Sequence, residues 1–247
     1  MPFHNLSPYS LQRLVICSVA LLSFNACQQP EGDLGEILGI DFVEGQASRV
    51  PPSVDPGPGA GTGCGNNDPN HICLAVKYVT YKDGDGVPTL SEQQVRDNLA
   101  SVNALWSQCN LSFVLKTYAP VDPENYGLLY QPTTQASLNT IRNKFNDGST
   151  MLVVSTATWA GSLGSGSANA WTMMPGGNPY GVVLERPVDE NGNLIAHELG
   201  HYLNLGHVSD SYAMMNPVIY ARSENIYDSQ CNTARSAAKY FWDDMIL

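Results

Sequence analysis

HELGHYLNLGH, His197 to His207, is the stretch whose reading decides the fold. On a helix, His197 and His201 are four residues apart, so both imidazoles project from one face and can bind a single zinc ion. Glu198 lies beside them, where a carboxylate can act on water at the metal without being a ligand. His207 joins them only if the helix stops. Continued, the helix would carry it roughly 240° round from His201, at about 100° per residue. Helices commonly end on one left-handed residue, usually Gly, and Asn is the next most tolerant. Asn204 is therefore expected to end the helix in that conformation, with Gly206 adding freedom to the turn. Three neutral imidazoles leave zinc one open position, the pattern of a catalytic rather than a structural site. A lone histidine such as His71 reads instead as a satisfied structural residue.

VSDSYAMMNP continues from His207. Together the two stretches resemble the metzincin clan of zinc endopeptidases, whose signature is H-E-x-x-H-x-x-G-x-x-H followed by a methionine turn. The spacing is most similar to the matrixins, which place Asp, Ala, Met and Pro where this chain has Asp210, Ala213, Met215 and Pro217. The resemblance implies peptide-bond hydrolysis with Glu198 as general base and His197, His201 and His207 as ligands of one catalytic Zn2+. It also implies that Met215 is the turn methionine, and that Pro217 and its successors line the pocket for the residue after the scissile bond. The matrixin pocket tyrosine would fall at Ile219, with Tyr220 one residue late, so Tyr220 is the candidate for that pocket. Pro217 stands where astacin-like relatives have a tyrosine ligand, so no such ligand is expected. With only His71 left over, the matrixins' second zinc is not expected either. In this clan the substrate lies antiparallel to an exposed edge strand. SGSANAWTM occupies the corresponding place in the order of elements, a flexible Gly/Ser loop being the alternative.

Outward from the site, the pattern describes an α+β domain over residues 71–247. ICLAVKYVTY predicts a first strand that stops at the turn DGDG. Ser91 and Gln94 form a capping box before a helix with Val95, Leu99, Val102, Leu105, Trp106 and Cys109 at helical spacing. LSFVLKTY predicts a strand, Thr134 to Phe145 a helix, TMLVVS a buried strand, and SGSANAWTM and YGVVLE two more. The histidine helix starts between Asp189 and Asn193. A final helix from about Asn232 places Ala234, Ala237, Ala238, Phe241, Trp242 and Met245 on one face. The resemblance makes this a metzincin-like fold: a twisted mixed sheet of about five strands, two long helices and a smaller C-terminal subdomain ending in a helix.

Residues 1–27 carry one cation, Arg13, then an uncharged apolar run from Leu14 to Phe24, too short for a permanent membrane span. This reads as an export signal. Ala26-Cys27 resembles a lipobox, making Cys27 the lipidation site, and Gln28 after it points to the outer membrane or cell surface. An ordinary cleavage near Ala26, giving a secreted or periplasmic protein, is the alternative. Residues 28–70 are a Pro/Gly-rich linker. Cys64, Cys73, Cys109 and Cys231 suggest two disulfides with three connectivities. CGNND from Cys64 also resembles part of the matrixin cysteine switch, which needs a free thiol. The formal net charge of −11 argues against nucleic acid and anionic lipid as partners. A protein or peptide substrate, a membrane contact only through the N-terminal lipid, and a monomer are expected. DGDG reads as a turn, since Gln94 stands where an EF-hand needs a bidentate acid; Ca2+ elsewhere is an option by family analogy. The competing functional class is a catalytically silent surface lipoprotein stabilised by zinc; a zinc hydrolase of non-protein amides is a third.

Overall fold

The computed structural model describes Ala26–Gln28, Cys64 and residues 68–247, apart from Ser167, Pro187 and Ala221. The predicted signal before Ala26 and nearly all of the linker lie outside the described residues. One sheet organises the rest. Its strands are β1 (Ala26–Gln28), β2 (Ile72–Tyr81), β3 (Leu111–Val121), β4 (Met151–Ser155), β5 (Ala168–Thr172) and β6 (Val182–Leu184). They lie in the order β3, β2, β4, β6, β5, β1. The first four in that order are parallel, with Val76 opposite Met151 and Val153 opposite Val182. β5 runs antiparallel to β6, and β1 antiparallel to β5. The domain is thus α+β with a mostly parallel sheet of five strands, which β1 extends. SGSANAWTM does form a strand, and it is the last strand of the domain's own five.

The central strands are apolar on both faces because both faces are covered, as parallel sheets require. β4 shows the alternation. Met151 and Val153 join Tyr78, Leu99, Trp106, Ile195 and Leu199 on one side of the sheet. Leu152 and Val154 join Val79, Leu138, Ile141 and Phe145 on the other. The helices follow from their caps. α1 (Glu92–Trp106) opens with the predicted Ser91/Gln94 box. α2 (Gln135–Phe145) opens on Thr134, whose hydroxyl accepts from the Ser137 amide. α3 (Gly192–Tyr202) carries the histidines, and α4 (Asp228–Phe241) follows them near the C-terminus. Among the described residues no helix is long and apolar enough to cross a membrane.

α4 corrects two expectations. It begins four residues before Asn232, at Asp228, because Gln230 accepts a hydrogen bond from the Tyr227 amide and so caps a polar first turn that hydrophobic spacing does not reveal. Phe241 is not on the buried face but 42% exposed, while Trp242, just past the helix, turns into the core.

The cysteines pair as Cys64–Cys73 and Cys109–Cys231. The first pair leaves no thiol at Cys64, so the cysteine-switch reading does not hold. The second ties α4 to the segment that follows α1, and Arg235 of α4 reinforces it by donating to the carbonyls of Cys109, Asn110 and Asn70. His71 is satisfied as expected, between Asn110 Oδ1 at 2.6 Å and Ser112 Oγ at 2.7 Å. DGDG is a turn in which Asp83 accepts from the amides of Asp85 and Val87.

Because Cys109 and Cys231 are 122 residues apart, their bond removes much of the unfolded chain's freedom. Replacing both with Ala is expected to lower the unfolding free energy by about 2–5 kcal/mol. Urea unfolding measures it, and an unchanged midpoint would mean that packing alone holds α4.

Candidate metal and catalytic site

α3 is buried from Leu194 to Tyr202. Its entrance is capped by Asn191, whose side chain accepts from the amides of Asn193 and Leu194. Gly192 lets α1 approach: a Cβ there would stand 2.7 Å from that of Ser101. Two tryptophans hold the helix along its length. Trp106 of α1 donates to the Ala196 carbonyl at 3.2 Å. Trp242 donates at 2.9 Å to the Tyr202 carbonyl, in the last turn, where helical carbonyls lack intrahelical partners.

The helix stops where the sequence predicts. Asn204 has φ +67°, and the amides of Asn204 and Leu205 turn back onto the carbonyls of His201 and Gly200 at 3.0 and 2.9 Å. Gly206 is not in the left-handed region, so Asn204 makes the reversal and the freedom expected of Gly206 is not used. Beyond the turn His207 comes back to the helix, its Nε2 3.1 Å from that of His201.

Each imidazole of the helix is oriented by a carbonyl. His197 Nδ1 lies 2.6 Å from the Met214 oxygen, and His201 Nδ1 lies 2.7 Å from that of Leu205. A carbonyl only accepts, so Nδ1 carries the proton and Nε2 presents the lone pair. One ligand atom from each of the three histidines lies within 4.8 Å of the others. Nitrogens on a tetrahedral zinc, at about 2.0–2.1 Å from the metal, stand about 3.3 Å apart. The 3.1 Å spacing of His201 and His207 matches that edge. The electrostatics agree. Burial, with His201 and His207 adding to it, pushes His197 far below the usual histidine range. Burial and then His207 push His201 down to about 3, and burial lowers His207. Neutral imidazole is the form that binds a metal, so the donor set suits zinc without prior loss of a proton. Among the described residues this is the one group of three or more such side chains with ligand atoms close together.

Glu198 is fully buried beside the trio, and its Oε2 accepts a hydrogen bond from the Thr172 hydroxyl. Met215 packs under α3 where Gly200 offers no Cβ; one added there would collide with the Met215 sulfur. The turn that delivers Met215 is held by Asp210, which accepts from the Tyr212 amide and the Tyr227 hydroxyl. Pro217 and Tyr220 follow on the same segment, both half-buried, with the Arg222 guanidinium 4.6 Å above the Tyr220 ring. Ile219 is buried in the core, so the position of the matrixin tyrosine is a packing position here. The backbone of Cys27 lies in β1, opposite Ala170 of β5.

Thr172, Gly200 and the carbonyls of Met214 and Leu205 belong to the site without a motif in the sequence to mark them. Thr172 left one trace: it is the polar member of the inward set Ala168, Ala170, Thr172. The carbonyls left none, since any residue supplies one.

No protein-family model matches this sequence, and no curated protein matches it. Among solved structures, metalloproteinase-II from Bacteroides fragilis shares 14% identity and a TM-score of 0.46, covering 66% of this chain and 53% of its own. This chain therefore spans about half the length of that protein. Promirolysin from Tannerella forsythia shares 12% identity and a TM-score of 0.51, over 71% of this chain and 84% of that one. At such identity the likeness to promirolysin is one of fold.

Two outcomes follow from the helix and its ends. Asn204→Ala should cost about 1 kcal/mol of stability, the strain of a left-handed alanine, and weaken zinc binding, whereas Asn204→Gly should preserve both. Thermal unfolding and zinc titration check this, and equal behaviour of the two variants would show that the turn needs no left-handed residue. Asp189, in the turn before α3, is 1% exposed, and burial raises its carboxyl to about 7. It stays protonated in the fold where the unfolded chain ionises, so stability complete below about pH 3.9 is lost as pH rises through about 7. The Tm of Asp189→Asn should pull ahead of the wild type between those pH values and level off above them. A pH-independent difference would place the charge elsewhere.

Proposed function

We propose that this chain is an exported zinc-dependent endopeptidase. The observation that carries the reading is the convergence of the imidazoles of His197 and His201, on a helix ended at Asn204, with that of His207 from beyond the turn and with Glu198 beside them in the helix. The edge of β5 adds to it. In the uncleaved chain Ala26–Gln28 pair there antiparallel, which is the geometry an extended peptide would use. The apolar N-terminal run and Ala26-Cys27 support export and a lipid anchor at Cys27.

His197, His201 and His207 would hold a zinc ion, which would supply Lewis acidity toward a carbonyl and toward water near neutral pH. The protein's own groups do the rest. Carbonyls of Met214 and Leu205 hold two of the ligands in one tautomer and one orientation. β5 aligns the peptide so that its scissile carbonyl meets the site. Glu198 accepts one proton of the attacking water and delivers it to the departing amine nitrogen, leaving an amine and a carboxylic acid that gives up its remaining proton to the solvent. Its adjacent position on α3 lets it do this without occupying a ligand position.

The full chain, loaded with zinc, is expected to cleave an unfolded protein. A chelator and Glu198→Ala should each abolish cleavage, while the variant still binds about one zinc ion. Failure of the zinc-loaded protein to cleave any member of a peptide library would assign it to the binding class instead.

A further inference from the structure

Glu198 sits where a general base must be accurately aimed, and a glutamate has three side-chain torsions to settle. Proton transfer needs the carboxylate within hydrogen-bond reach of the water it activates. Something must hold the other end of that geometry. Thr172 closes β5, its side chain directed inward and 3% exposed. Its hydroxyl meets Glu198 Oε2, and because a carboxylate only accepts, Thr172 donates. A β-branched residue in a strand has few rotamers, so the direction of that hydroxyl is set by the strand.

The strand is in turn fixed from the far side. Arg142 of α2 is fully buried, and its guanidinium donates to the Trp171 carbonyl of β5 at 2.6 Å. It also donates to the Gly181 carbonyl, just before β6, at 2.8 Å, and to Asn139 Oδ1 at 2.9 Å. One planar cation thus joins the last two strands of the domain at the residue next to Thr172. Burial lowers its pKa only to about 10, with the Glu198 carboxylate opposing the fall, so the charge persists at neutral pH.

We propose that Thr172 is a positioning residue for Glu198, holding its carboxylate toward the site from the strand edge that takes the peptide, with Arg142 holding that strand. The inference rests on the peptidase reading for its catalytic meaning. It joins two requirements in one element: the strand that aligns the substrate also aims the base, so a shift of β5 disturbs both.

The test compares Thr172→Val, which keeps the shape and removes the donor, with Thr172→Ser, which keeps the donor. With Val, kcat on a peptide should fall about 10–100-fold, the scale of a misaimed proton-transfer group. KM should stay within about twofold, because no contact to the peptide is removed. Zinc content and Tm should stay near the wild type. Ser should restore kcat to within about threefold. Crystal structures of the wild type and the Val variant supply a readout independent of activity, in which Glu198 should leave its wild-type rotamer in the variant. Wild-type kcat with Val, an equal loss with Ser, a loss matched by departure of zinc, or an unmoved Glu198 would each overturn the proposal. If the wild-type protein cleaves nothing, the peptidase reading fails, and the Glu198 rotamer alone decides the positioning role.

Discussion

His201 donates from Nδ1 to a carbonyl only four residues further along the chain, that of Leu205, and such a contact exists only if the helix ends between them. The left-handed backbone of Asn204 makes that end. The reversal satisfies the Gly200 and His201 carbonyls, orients His201, and carries His207 back to within 3.1 Å of it. Without the reversal the third imidazole would lie on the far side of a buried helix. A single backbone conformation therefore sets tautomer, ligand count and geometry together.

The same helix places polar groups in the core, which is tolerated only where each is met. Its interior faces Trp106, Trp242 and the sheet, and its buried His197, Glu198 and His201 are answered by the Met214 carbonyl, the Thr172 hydroxyl and the Leu205 carbonyl. Glycines make the contacts close: Gly200 admits Met215, and Gly192 admits α1. The buried polar groups are thus bound to specific neighbours, one four residues on at Leu205 and the others 17 and 26 residues away at Met214 and Thr172. The rigidity that a reactive site needs and the satisfaction that a core needs are met by the same bonds.

Much of this was legible in the residues. Helical spacing placed His197, Glu198 and His201 on one face, and the known tolerance of Asn for left-handed backbone made the Asn204 turn an expectation. The β-rich run of β2, the alternation of β3, the apolar run of β4 and the Ser91/Gln94 cap located those elements closely, because these signals are local. The start of α4 was missed because its cap is a hydrogen bond from the Tyr227 amide to the Gln230 side chain rather than an apolar pattern. The exposure of Phe241 was missed because helical spacing cannot tell where a helix ends and Trp242 begins to turn inward.

What the sequence by itself determined is the set of reactive groups and the backbone that presents them: the His-Glu-His face of a helix, the Asn204 stop, and a strand of small residues near it in order. Periodicity and conformational preference act over a few residues, so they can be read in one dimension. Only the tertiary structure decided which cysteines pair, that Cys64 holds no thiol, and that Thr172 and Arg142 stand behind Glu198. Thr172 is 26 residues from Glu198, and Arg142 is 29 and 39 residues from the Trp171 and Gly181 carbonyls it holds; they meet because the sheet packs β5 against α3 and α2 against its far face. A hydrogen bond across that distance follows from where the core closes, which no short stretch of residues encodes.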